Sequence, residues 1–135
     1  MEGNIIKEIK EFDKNNLEYI STKINNIKKN ILLDYLNSLK DEANFRYIEA
    51  YDQQDIPISG LCFQICTGPL PQIPTFFKCG SIWGFWGDNS SLEILILTAI
   101  YNLKKEKLFK ILTYSYNEEI GEILKKLSFS HSNAL

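Results

Sequence analysis

Histidine, methionine and proline are scarce in this 135-residue chain, and positive charge is never in excess. The single histidine, His131, lies far in sequence from Cys62, Cys66 and Cys79, the three cysteines. Cys62 and Cys66 share a strand face but are well separated along it, so a tetrahedral zinc site would lack a fourth ligand, and no metal is expected. An odd number of thiols with no export signal in view reads as reduced cysteines in a cytoplasm. Fifteen Lys and Arg against seventeen Asp and Glu leave a net charge of -2. Phosphate neutralisation needs a basic surface, so this balance argues against a nucleic-acid partner. The clusters Lys104-Lys105-Lys107 and Lys125-Lys126 read as solvated helix faces. The longest apolar run, Leu92 to Ile100, is interrupted by Glu93 and Thr98 and is too short to cross a bilayer, so no membrane role is expected.

What the chain does have is ordinary globular composition, 44% hydrophobic and 24% charged, in a length that suits one domain spanning residues 1–135. Periodicity divides it into elements. Ile5 to Ile9 alternates as a first strand. Apolar steps of three and four from Leu17 to Leu39 predict two helices, 15–28 and 30–41, with a break near Lys29-Asn30. Phe45 to Tyr51 and Ile58 to Cys66 form a hairpin about the turn Asp52–Asp55. Gly68 to Pro74, with three of the four prolines, cannot be strand interior. A strand follows from Thr75 to Ile82. Trp83 to Asn89 reads as a glycine-bearing loop, and Ser90-Ser91-Leu92-Glu93 as a capping box opening a helix to Lys105. Leu108 to Tyr116 is a strand, and Asn117 caps a final helix over 118–127. The order is β-αα-βββ-α-β-α.

Two stretches carry motif detail. Asn117-Glu118-Glu119-Ile120-Gly121-Glu122-Ile123-Leu124-Lys125-Lys126-Leu127-Ser128-Phe129 is similar, without a gap, to the N-x-x-A-φ-x-φ-Y-x-x-φ-G-F pattern (φ apolar) of the GNAT superfamily of N-acetyltransferases. Ile58-Ser59-Gly60-Leu61 resembles that family's second-to-third-strand hairpin, and Lys10 to Asp13 its first-strand exit. By spacing, Gly84 to Asn89 falls on the R/Q-x-x-G-x-G/A loop, with Gly87 on the first glycine. Gly84 replaces the Arg or Gln, and Asn89 the second small residue. Leu124 falls on the usual tyrosine, Ser128 replaces a glycine, and the sequence ends six residues after Phe129, short of the family's last strand pair. The chain thus resembles a short, degenerate member.

The resemblance implies an α/β (α+β) fold: a mixed, mostly antiparallel sheet flanked by helices, splayed between its fourth and fifth strands. It implies an N-acetyltransferase with acetyl-CoA as co-substrate and a small amine or peptide as acceptor. The fourth-strand backbone around Cys79 and Ser81 would hold the pantetheine arm. The loop from Gly84 and Gly87 through Asp88, Asn89, Ser90 and Ser91 would meet the pyrophosphate, because helix N-termini offer unpaired amides. Asn117 would meet the neighbouring end. Tyr114 and Tyr116, on one strand face, are candidates for the general acid that Leu124 cannot be, and Glu49 for a general base. Asp88 and Glu93 set negative charge near the expected pyrophosphate. They support the rival reading, a catalytically inactive GNAT-fold binding or regulatory protein such as a toxin-neutralising module. An open fifth-strand edge would suit a homodimer.

Overall fold

The computed structural model describes residues 6–24, 27–39, 43–67, 78–108, 110–113, 118–127 and 129. Among the described residues five strands and four helices follow the expected order: β1 (Glu8–Phe12), α1 (Leu17–Lys23), α2 (Lys29–Ser38), β2 (Arg46–Tyr51), β3 (Pro57–Thr67), β4 (Lys78–Gly87), α3 (Asn89–Leu103), β5 (Ile111–Thr113) and α4 (Glu118–Lys126). The strands lie in one sheet in sequence order, antiparallel from β1 to β4, with β5 parallel to β4. The mixed, mostly antiparallel α/β fold is therefore present.

Strand alternation divides the core into two layers. Ile48 and Ala50 of β2, Leu61, Phe63 and Ile65 of β3, and Ile82 and Phe85 of β4 face α3 and α4 in a dry cluster. Tyr47 of β2 and Cys62 of β3 face the other way, against Ile20 and Ile24 near α1 and Leu32 and Leu36 of α2. The β2–β3 turn closes as its sequence foretells: the Asp52 carboxylate accepts from the amides of Gln54 (2.9 Å) and Ile56 (3.0 Å).

Several boundaries differ from expectation. The first strand begins at Glu8 and runs on to Phe12. The first helix is the shorter Leu17–Lys23, preceded by a 3-10 turn over Lys14–Asn16, and the second starts at Lys29 rather than after it. The largest correction concerns Trp83 to Gly87, which is strand and not loop. The β3–β4 register jumps there: Cys62 opposes Trp83, but Gly60 opposes Trp86, so β4 carries one extra residue. That is a β-bulge, and Gly84, at φ +72°, occupies its left-handed position. Glycines in a strand mark bulges as well as loops, and buried neighbours on both sides keep this segment extended. The bulge also explains why Trp83 and Trp86, three apart, face one side while Phe85 packs into the α3 cluster.

The described ladder between β4 and β5 covers Gly80↔Ile111 to Ile82↔Thr113, and Thr113 Oγ1 donates to the Ile82 carbonyl at its end (2.9 Å). The expected splay beyond this point falls on 114–117, outside the described residues.

Candidate functional site

β4 ends at Gly87 and α3 starts two residues later, so the strand delivers the chain directly to a helix N-terminus. Gly87 (φ +97°) is obligatory there, because a Cβ would overlap the Ile58 carbonyl and the Ser59 backbone. The Asp88 amide donates to that same carbonyl (2.9 Å), which locks the turn onto β3. Ser59 and Ser91 hydroxyls meet beneath it at 2.6 Å in a buried pair.

The expected capping box is not the cap. Asp88 is the N-cap, its carboxylate accepting from the Ser91 amide (3.0 Å) and the Ser90 hydroxyl (2.7 Å). An aspartate caps at least as well as a serine and adds charge to the positive end of the dipole, so it wins the position. Glu93 instead pairs with Lys126 of α4 (3.1 Å). Partial burial pushes the Asp88 carboxyl up, but the hydrogen bonds from Ser90 and Ser91 outweigh it and hold it below the ordinary carboxylate range. Asn89 reaches across to Glu119 of α4 (3.0 Å), drawing the N-termini of α3 and α4 together. The junction thus brings Gly87, Asp88, Asn89, Ser90 and Ser91 together, but with one carboxylate already on its amides, while Gly84 lies upstream in the bulge against Ile24 and Cys62.

Cys79 is buried and Ser81 half-buried on the same β4 face as Trp83. Burial pushes the Cys62 thiol up, and burial outweighs a Gln64 hydrogen bond to push Cys66 up as well, the opposite of nucleophile activation. Tyr114, Tyr116 and Asn117 lie outside the described residues. Leu124, at the position of the expected tyrosine, is buried against the α3 layer.

Glu49 stands out on the α1–α2 side. It is fully buried, and no ion pair among the described residues involves it. Three tyrosines hold it instead: Tyr19 donates to the carboxylate at 2.8 Å from either oxygen, Tyr47 at 2.6 Å and Tyr51 at 2.5 Å. Tyr47 in turn accepts from the Trp86 indole N–H (2.9 Å), linking β2 to the bulged end of β4. Gly60 makes this link possible, since a Cβ there would collide with both the indole nitrogen and the Tyr47 hydroxyl. Lysines sit over the outer rings, Lys10 over Tyr51 at 4.5 Å and Lys23 over Trp86 at 5.4 Å and Tyr19 at 5.7 Å. Burial and then the hydrogen bond to Glu49 push Tyr19 up to about 12, and raise Tyr47 and Tyr51 for the same reasons. Sequence reasoning singled out Glu49 but missed the tyrosines. The signal was present in Tyr47-x-Glu49-x-Tyr51, which alternation places on one face.

A second polar link crosses the same face: Trp83 donates its indole N–H to the buried Gln64 (3.0 Å), whose amide donates to Tyr35 of α2 (2.5 Å). Both half-buried tryptophans are therefore oriented by hydrogen bonds and not by packing alone.

No protein-family model matches the chain, and no curated protein matches it in sequence. Solved structures match over nearly its whole length. A predicted acetyltransferase from Clostridium acetobutylicum, solved with acetyl-CoA, aligns at TM-score 0.73 and 12% identity over 95% of this chain and 92% of that one. A GCN5-related N-acetyltransferase from Ralstonia eutropha aligns at 0.70 and 13%, over 95% of both chains. An aminoglycoside 6'-N-acetyltransferase from Acinetobacter haemolyticus aligns at 0.69 and 16%, over 95% of this chain and 94% of that one. At such identities the likeness establishes the fold: this chain has the fold of the GNAT N-acetyltransferases. Among the described residues no helix is long and apolar enough to cross a membrane, and no cluster of metal-ligating side chains is present.

Proposed function

We propose that this protein is an acyl-CoA-dependent N-acetyltransferase that moves an acetyl group from acetyl-CoA to an amine. The observation that carries the reading is the parallel β4–α3–β5 unit, in which a bulged strand runs straight into a helix N-terminus, within a fold shared along its length with an acetyl-CoA complex. In this reading the β4 backbone from Cys79 and Ser81 to Gly84 holds the pantetheine arm, and an amide at the bulge polarises the thioester carbonyl. Gly87, Asn89, Ser90 and Ser91 meet the pyrophosphate, and Asn117, outside the described residues, is the sequence-based candidate for its neighbouring end. Asp88 opposes that anion and weakens its binding.

The acceptor approaches from the α1–α2 side, where Trp83 and Trp86 are half-buried. Its nitrogen attacks the carbonyl carbon as the carbon–sulfur bond breaks. The ammonium proton passes by way of the half-buried Tyr19 hydroxyl to Glu49, and the departing thiolate takes a proton from Tyr114 or Tyr116.

Calorimetric titration of acetyl-CoA into the protein at low and moderate salt tests the reading. Micromolar, salt-sensitive binding is expected, tightening roughly five- to tenfold in Asp88→Asn as a like charge is removed from the anion site. Absence of binding to both proteins at about millimolar ligand would overturn it and leave a GNAT-fold binding module.

A further inference from the structure

Lys23 closes α1, and the residue after it, Ile24, is buried against the β4 bulge: a Cβ on Gly84 would stand 3.0 Å from Ile24 Cδ1. The Lys23 side chain does not run out into solvent. It is half-buried, and its ammonium lies over two rings, Trp86 at 5.4 Å and Tyr19 at 5.7 Å. Trp86 is two residues past the bulge, and the Tyr19 hydroxyl donates to the buried Glu49 carboxylate. No ion pair among the described residues involves Lys23, so the two ring faces hold its charge. Lys10 also stacks on a ring of this network, Tyr51, but it is exposed on β1, three strands from β4. Lys23 alone joins a ring on β4 to a tyrosine that touches Glu49.

On the acetyltransferase reading above, we propose that Lys23 is a self-acetylation site, whose amine takes the acetyl group from acetyl-CoA bound to the same chain. A flexible aliphatic arm ending in an amine already occupies the face from which the acceptor approaches, with a proton path beside it. The lysine nitrogen forms a bond to the acetyl carbonyl carbon as the carbon–sulfur bond breaks. The protonated lysine sheds two protons in all. One passes by way of Tyr19 and Glu49 to solvent, and the other ends on the sulfur, which leaves as free CoA. The product is a neutral amide, so the ammonium that stacked on Trp86 and Tyr19 is gone and each chain reacts once. Because the amine is tethered beside the bulge, the step is intramolecular and its rate per molecule is independent of protein concentration.

Incubation with acetyl-CoA at neutral pH, without added amine, followed by peptide mass spectrometry tests this. One acetyl group is expected on Lys23, arriving at least about tenfold faster than on the exposed Lys28 and Lys104, at a rate that an about hundredfold dilution of the protein leaves unchanged. Lys23→Arg, which keeps a cation on the rings but has no amine to acylate, is expected to lose the fast phase. Calorimetric binding of acetyl-CoA to the same samples separates the two readings. Binding with Lys23 unmodified, or modified no faster than Lys28 and Lys104, overturns self-acetylation alone. So does a rate proportional to protein concentration, or a fast phase that survives in Lys23→Arg. Absence of binding overturns self-acetylation and the acetyltransferase reading together.

Discussion

The two faces of the sheet are built on opposite principles. Toward α3 and α4 the buried side chains of the described residues are aliphatic or phenyl, with a hydrogen-bonded serine pair at the rim. Toward α1 and α2 a carboxylate, a glutamine, four tyrosines and two indole N–H groups form hydrogen-bonded networks beneath short helices. Dry packing makes the first face tolerant in detail and costly to hollow out. The second is held by a few directional bonds, each of which leaves a buried partner stranded when removed. One face accounts for cohesion, and the other has groups that can receive a proton or orient an amine.

Hollowing the dry face should have the largest effect. Leu95→Ala, at a fully buried position under α3, should lower stability by about 3 kcal/mol in urea unfolding while leaving tyrosine titration unchanged. On the polar face Tyr47→Phe should cost about 2 kcal/mol, because it strands the Trp86 indole N–H and removes one of the donors to the buried Glu49 carboxylate. A loss equal to that of an exposed tyrosine would erase the contrast between the faces.

Alkaline pH probes the polar face alone. Tyr19, Tyr47 and Tyr51 have raised values in the folded state, so their contribution to stability is complete below the unfolded value near 10 and is lost as pH climbs. Their tyrosinate absorbance should therefore develop together with unfolding above about pH 10, and Glu49→Gln, which removes a charge that raises all three, should bring their ionisation to lower pH and loosen its coupling to unfolding. Independent titration of all tyrosines near pH 10 in a protein that stays folded would contradict the network. The smallest effect is expected at the α3 cap: Asp88→Asn should change stability by only a few tenths of a kcal/mol, since asparagine caps as well as aspartate.

Element order was legible in the sequence because burial imposes a period, and period survives without knowledge of tertiary contacts. Boundaries were less so. Trp83 to Gly87 looked like a loop because its two glycines are loop signals in isolation; only the register against Gly60 and Cys62 shows that one of them absorbs an extra strand residue. Ser90-x-x-Glu93 fits a capping box by type, yet Asp88 takes the cap because Gly87 turns the chain two residues earlier. Glu49 was visible as an acidic residue in a strand. Of its donors, Tyr47 and Tyr51 stood in the alternation of the same strand, whereas Tyr19, thirty residues away, left no trace in the local pattern.

The bulge at Gly84 can also be regarded as a change of phase. Upstream of it β4 is read in one parity, downstream in the other, and Trp86 reaches the Tyr47 hydroxyl only because of that half-step. A strand that kept Gly84 but lost the bulge would alternate strictly and turn its end over by one side: the indole would enter the aliphatic layer and Phe85 the polar one. The strand would keep its length almost unchanged, yet the two halves of the sheet would exchange vocabularies at its tip.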